Sequence, residues 1–277
     1  MSCLAEQAKI LVAEAEENNL DAKAKNARWL RWAKCSLCEQ DYHGVVKCAL
    51  GWACWKTYLG RPETDQVHGM AMNQLGNGLY EAGHYADALS VQEADLSMKR
   101  HLGALEVKLL ASQTNLARTY HMLGRLEEAS SMWRDIYFGW WNLDGKENGR
   151  TLNAASNYSA SLVTLERFKE AKSLLRKMMP VAQRALGAGD IGTLRMRTNY
   201  TQSLYLDDDA TLDDLHEAEA TLEDTERIAR RVLSGAHPLT STIEDDLQTM
   251  RAALAARVGD DVSSVCEGVA AMTAKGA

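Results

Sequence analysis

NLARTYHMLGRLEEA, Asn115 to Ala129, decides the fold because it recurs. Forty-two residues downstream stands NYSASLVTLERFKEA, Asn157 to Ala171, and forty-two further on NYTQSLYL begins at Asn199. Upstream, QLGNGLYEAGHYADA runs from Gln74 to Ala88, forty-one residues ahead of the central copy. Self-similarity at a fixed period of this size marks a repeat array, in which each unit buries its apolar face against its neighbours. Each copy reads as a helical hairpin. In the central one, Leu116, Ala117 and Tyr120 form a stripe at helical spacing, Gly124 ends the helix, and Leu126, Ala129, Trp133 and Ile136 form a second stripe. The third copy repeats this with Tyr158, Ser159, Leu162, Phe168, Ala171, Leu175 and Met178. The first offers Leu75, Gly76, Leu79, Gly83, Tyr85 and Ala88, but Gln92 and Asp95 weaken its second helix.

This order of small and large residues resembles the tetratricopeptide repeat (TPR), although the period is 42 rather than that motif's ~34. The extra length lies in the joins RHLGALEVKLLASQTNLA, LDGKENGRTLNAASNYSA and LGAGDIGTLRMRTNYTQSL. With GAHPLTSTIEDDL, these are similar to the joins of kinesin light chains, and His237-Pro238 keeps their HP pair. The resemblance covers roughly Arg61 to Arg257. It implies an all-α, right-handed α-α superhelix of stacked TPR-type hairpins. Residues 61–257 are read as the array, 1–60 as N-terminal helices with a Cys/Trp-rich capping hairpin, and 258–277 as a C-terminal tail. The first helix, Met1 to Asn18, is shorter than the heptad coiled coil by which kinesin light chains join their heavy chains.

Composition agrees with a packed helical protein. Hydrophobic residues make up 46% of 277, while three prolines, two phenylalanines and few alternating β-branched runs argue against strands. A net charge of −7 speaks against nucleic acid or an anionic membrane as partner. The carboxylate-rich start is unlike a signal peptide, and no apolar run reaches membrane-spanning length. A cytoplasmic location and reduced cysteines are expected.

Two alternatives carry chemistry. Cys35, Cys38, His43 and Cys48 follow the C-x2-C-x4-H-x4-C spacing of a zinc knuckle, although Glu39 and Tyr42 stand where knuckles use glycine. The competing reading is of small cysteines buried in a helix pair. Gly187, Gly189 and Gly192 have dinucleotide-loop spacing but follow a helix, so they read as a join between hairpins. Asp207, Asp208, Asp209, Asp213 and Asp214 lack the glycine and glutamate of a calcium loop and read as caps of the next helix.

The resemblance also implies that first helices line a concave groove. Gln74, Asn115, Asn157 and Asn199 then form a row, with Asn77, Arg118 and Gln202 near them and Asn153 and Arg195 a turn earlier. Side-chain amides both donate to and accept from an extended peptide backbone. They could equally bond the preceding hairpin and order the stack. Arg118 and Arg195 make the preferred ligand neutral to acidic. No catalytic set emerges, because the histidines are scattered and no nucleophile has an assignable base. The expectation is a non-enzymatic protein-binding scaffold or adaptor without a cofactor. The alternative is a zinc-binding adaptor that uses Cys35, Cys38, His43 and Cys48 beside the array.

Overall fold

The computed structural model describes residues 2–233 and 235–275, with side chains through Arg257. Among these residues every regular element is helical, and the one extended feature is an isolated antiparallel bridge between Lys34 and Asp41. Two compact units divide between residues 132 and 133.

The first unit holds α1 (Ser2–Glu17), α2 (Ala22–Trp29), a 3-10 turn (Leu30–Trp32), α3 (Gly44–Tyr58), α4 (Gln66–Glu81), α5 (Tyr85–His101) and α6 (Glu106–Met122). Helices α3, α4, α5 and α6 each pack on the next. The α3–α4 crossing is the tightest, because glycines let the backbones meet. A Cβ on Gly78 would lie 2.8 Å from the Lys47 carbonyl oxygen, and one on Gly51 would lie 2.9 Å from that of Gln74. The open end is closed by a cluster of Ala8, Val12, Trp32, Cys54, Tyr58 and Ala71. Trp29 and Trp55 pack against that cluster, whereas Trp52 stands half out in solvent. Arg61 ties α1 to the array with two bonds to the Glu16 carboxylate, at 2.9 and 2.7 Å.

Helix α5 is complete despite its polar residues. Gln92 and Asp95 are buried, and α6 answers them with the hydroxyls of Thr119 and Ser112. The Thr119 hydroxyl donates to Gln92 Oε1 at 2.7 Å, and Ser112 donates to Asp95 Oδ2 at 2.6 Å. One oxygen of each is thus paired, while Gln92 Nε2 and Asp95 Oδ1 find no partner among the described residues.

The second unit begins inside α7 (Leu126–Asp144) and continues with α8 (Gly149–Thr164), α9 (Phe168–Ala185), α10 (Ile191–Tyr205), α11 (Leu212–Leu233) and α12 (Pro238–Lys275). From α8 onward, each helix packs on its successor. Asn148 and Asp190 cap α8 and α10, accepting backbone N–H groups two residues on at 2.9 and 2.8 Å. The GAGDIG stretch is therefore a helix stop and start. The acidic run after α10 also caps. Thr211 and Asp214 bond each other's backbone N–H groups in a reciprocal box at the start of α11. Helix α12 runs on through residues 258–275, the stretch read from sequence as a tail; the side chains there lie outside the described set.

Repeat register is visible residue by residue. Gly83, Gly124 and Glu166 occupy one structural place, with φ of 81°, 74° and 57°. After each, a backbone N–H returns across the helix end: His84 to Leu79, Arg125 to Tyr120 and Arg167 to Leu162. Ala88, Ala129, Ala171 and Ala218 are all fully buried. Ala218 follows Ala171 by 47 residues, five more than the repeat period, and keeps the same full burial.

Candidate functional site

In the first unit, α4 presents Gln66, Met70, Asn73 and Asn77 along one face, and α6 presents Lys108, Ala111, Asn115 and Arg118 at the same spacing. A cleft of about 570 Å³ lies at the base of these faces. Its walls include Trp29, Met70, Met98 and Leu102, with Asn73 and Lys108 as polar points. Lys99 also reaches it, but its ammonium is held by Asp95 and Ser112, both at 2.7 Å. Lys108 is exposed and makes no ion pair among the described residues. The cleft therefore combines apolar walls with the unpaired cation of Lys108 and, at its rim, the carboxylates of Glu63 and Asp65, the latter paired with Arg61. Higher on the same faces, the Arg118 guanidinium lies 4.3 Å from the centroid of the Tyr80 ring, which fixes an exposed charge by cation–π contact.

The amides separate into two groups. Gln74 is buried, and its Nε2 donates to the Trp32 carbonyl at 2.9 Å, holding the end cap to α4. Asn77 donates to Asn73 Oδ1 at 2.9 Å. In the second unit, Asn199 Nδ2 donates to the Ser156 carbonyl and the Ser159 hydroxyl of α8, both at 3.0 Å. Gln202 Nε2 donates to both Asp246 oxygens at 2.9 and 3.2 Å, and the Tyr205 hydroxyl joins it at 2.9 Å. Burial pushes the Asp246 carboxyl above the ordinary range against these bonds.

Asn115 and Asn157 behave otherwise. Each is half-buried, and neither side-chain amide makes a hydrogen bond among the described residues. Asn153 and Arg195 are exposed on the faces of α8 and α10. Sequence reasoning missed Trp29, Met70, Asn73, Met98 and Lys108. Lys108 and Asn73 had a legible signal: they lie seven residues before Asn115 and four before Asn77, on the same helical faces. Trp29 had none, since its place depends on the irregular path from α2 to α3.

The four residues of the zinc spacing are not brought together. Cys35 and Cys38 share the turn from Lys34 to Asp41. His43 is exposed, with Nδ1 3.9 Å from Glu81, and Cys48 sits in α3 against Leu75, Leu79 and Ala88. Among the described residues no three His, Cys, Asp or Glu side chains converge as a metal site. The expectation of two buried helix-pair cysteines also fails, because Cys38 is exposed and neither residue is on a helix. Backbone N–H groups of Cys38 and Leu37 hold the Cys35 thiol below its ordinary value, whereas burial raises the Cys48 and Cys54 thiols.

Residues 69–104, 109–136 and 151–191 match the family model of the tetratricopeptide repeat. These stretches carry tetratricopeptide repeats, and the fold is similar to that of kinesin-light-chain-like TPR proteins. The nearly identical TPR-like repeats of a Podosopora anserina kinesin light chain superpose with a TM-score of 0.56 at 19% identity, over 74% of this chain and 95% of that one. BtubC (BKLC) from P. vanneervenii superposes with a TM-score of 0.62 at 16% identity, over 82% of this chain and 91% of that one. No curated protein matches the sequence. No helix among the described residues is long and apolar enough to cross a membrane.

Proposed function

We propose that this TPR protein is a non-enzymatic scaffold whose first-helix faces hold an extended peptide or partner segment, in the manner of a kinesin-light-chain-like adaptor. The observation that carries this reading is the pair Asn115 and Asn157. Asn115 in the first unit and Asn157 in the second stand at the same register of their own repeats, each half-buried with its amide left unspent, while Gln74 and Asn199 are consumed in stacking. An amide so placed accepts a peptide N–H and donates to a peptide carbonyl. Lys108, Arg118 and Arg195 favour a neutral to acidic ligand, and the acidic chain disfavours nucleic acid or an anionic membrane. Exposed thiols such as Cys38 suit a reducing cytoplasm.

The test is a peptide array screened with the parent protein, followed by binding titrations of the best ligand with Asn115→Ala, Asn157→Ala and the double variant. Each substitution should cost about 1–3 kcal/mol of binding, because peptide groups lose their partners. Circular dichroism should stay unchanged. Undiminished affinity in the folded double variant would move the binding face elsewhere.

A further inference from the structure

The turn carrying Cys35 and Cys38 is built around its sulfurs. The Cys35 N–H donates to the Gln40 carbonyl at 2.9 Å, and the Glu39 N–H returns to the Cys35 carbonyl at 3.2 Å. Inside this ring of bonds, Cys35 Sγ accepts the Leu37 N–H at 3.4 Å and faces the Cys38 N–H. Glu39, directly after Cys38, adopts φ of 57°. A left-handed glutamate is disfavoured, and here it does what glycine does after the second cysteine of a metal knuckle. The reversal places Cys38 on the same turn as Cys35, with its thiol donating to Gln40 Oε1 at 3.9 Å. Leu37, between the two thiols, exposes 93% of its surface, more than any other large hydrophobic described. The tip therefore shows one apolar side chain between an exposed thiol, Cys38, and a half-buried one, Cys35.

We propose that Cys35 and Cys38 are one half of a tetrathiolate zinc site, completed by the same two residues of a second copy of this chain. A structural zinc ion takes four ligands in a closed tetrahedron, and a single turn with the i, i+3 spacing supplies two. No third side chain of this chain converges on the pair among the described residues. A two-fold axis through the metal supplies the missing pair, because an isologous contact repeats each residue on the other side. The same axis brings the Leu37 tips of both copies together and covers them. Four thiol protons leave to solvent as four zinc–sulfur bonds form, giving a centre of charge −2. Arg31 donates to the Cys35 carbonyl at 3.0 Å and pairs with Glu39 at 2.9 Å, so two such arginines flank the shared centre.

The experiment uses the full chain, reduced and freed of metal, titrated with cobalt(II) and then zinc(II). Expected are the absorption of tetrahedral four-sulfur cobalt, saturation at one metal per two chains, and a doubling of mass by light scattering that a chelator reverses. Cys38→Ser should abolish all three with an unchanged circular dichroism spectrum, since Cys38 is exposed. Leu37→Asp should weaken dimerisation, and His43→Ala should leave metal binding as it was. One metal per chain, lost in His43→Ala, would instead show an intramolecular knuckle and overturn the proposal. Metal uptake without a change in mass would overturn it too. So would a reduced protein that binds neither metal, including one whose two thiols simply close to a disulfide under oxidant.

Discussion

Asn199 is tied to Ser159 on the preceding first helix: its Nδ2 donates to that hydroxyl and to the Ser156 carbonyl, both at 3.0 Å. The bond joins α10 to α8 directly, so in the second unit this amide orders the stack. Its equivalents Asn115 and Asn157 make no such bond, so the same residue type at one register is spent in one hairpin and unspent in two others.

Stability should therefore separate the asparagines. Asn199→Ala removes two hydrogen bonds between α10 and α8, although the Ser156 carbonyl keeps the Ser159 hydroxyl as a donor, and should cost about 1–2 kcal/mol in denaturant unfolding. Asn157→Ala removes no bond and should stay within about 0.5 kcal/mol. Equal losses in the two variants would refute the division of the row.

A second expectation concerns Glu166, which is exposed, holds φ of 57°, and stands where Gly83 and Gly124 stand in the earlier hairpins. Left-handed backbone disfavours a side chain by roughly 1–2 kcal/mol, partly offset by the freedom that glycine adds to the unfolded chain. Glu166→Gly should raise the urea midpoint, with a net gain of up to about 1 kcal/mol. A lowered midpoint would mean that the Glu166 side chain makes a stabilising contact that outweighs its strain.

The glycines at the α3–α4 crossing lead to the opposite sign. A Cβ on Gly78 would meet the Lys47 carbonyl at 2.8 Å and the Cys48 Cα at 2.9 Å, both of them backbone atoms that cannot rotate away. Gly78→Ala should destabilise by about 1–3 kcal/mol despite alanine's better helix propensity. Differential scanning calorimetry would register it as a lowered Tm; an unchanged Tm would show that the crossing can open without cost.

These cases show what the sequence made legible. The repeat period, the helix-ending glycines and the row from Ala88 to Ala218 could be read, because a close helix crossing admits only small side chains and a left-handed helix end favours glycine. The use of each amide was harder to read, since it depends on what lies about forty residues earlier. Ser159 stands two residues after the preceding amide of the row and bonds Asn199, whereas Gly76 and Ala117 hold that place before Asn115 and Asn157 and offer no hydroxyl. At the Cys35 turn the reading against a four-ligand knuckle agrees with the structure, but one of its reasons does not. Missing glycine counted against a knuckle, yet Glu39 adopts the left-handed backbone that glycine would have eased. The cleft by Trp29 depends on an irregular path that hydrophobic periodicity does not describe.

The pH dependence of stability should show two carboxylates working in opposite directions. Burial is the largest influence on Asp246 and raises its carboxyl, outweighing the bonds from Gln202 and Tyr205. The folded state thus holds that proton more tightly than the unfolded chain. Its contribution is fully present below the ordinary value near 3.8 and is lost as pH rises through the raised one. Asp214 is the reverse case. The Lys172 ammonium, first among its neighbours, holds it low, so its contribution is present above the ordinary value and is lost as pH falls. Asp246→Asn should therefore match the parent near pH ~3 and gain on it steadily toward pH ~7, because the variant has no buried charge to create. Asp214→Asn should fall below the parent at neutral pH and rejoin it in acid. Urea unfolding of the three proteins across that range decides the matter. An Asp246→Asn curve running parallel to the parent's would show that the carboxylate is as well solvated folded as unfolded, and that its bonds to Gln202 and Tyr205 fully compensate its burial.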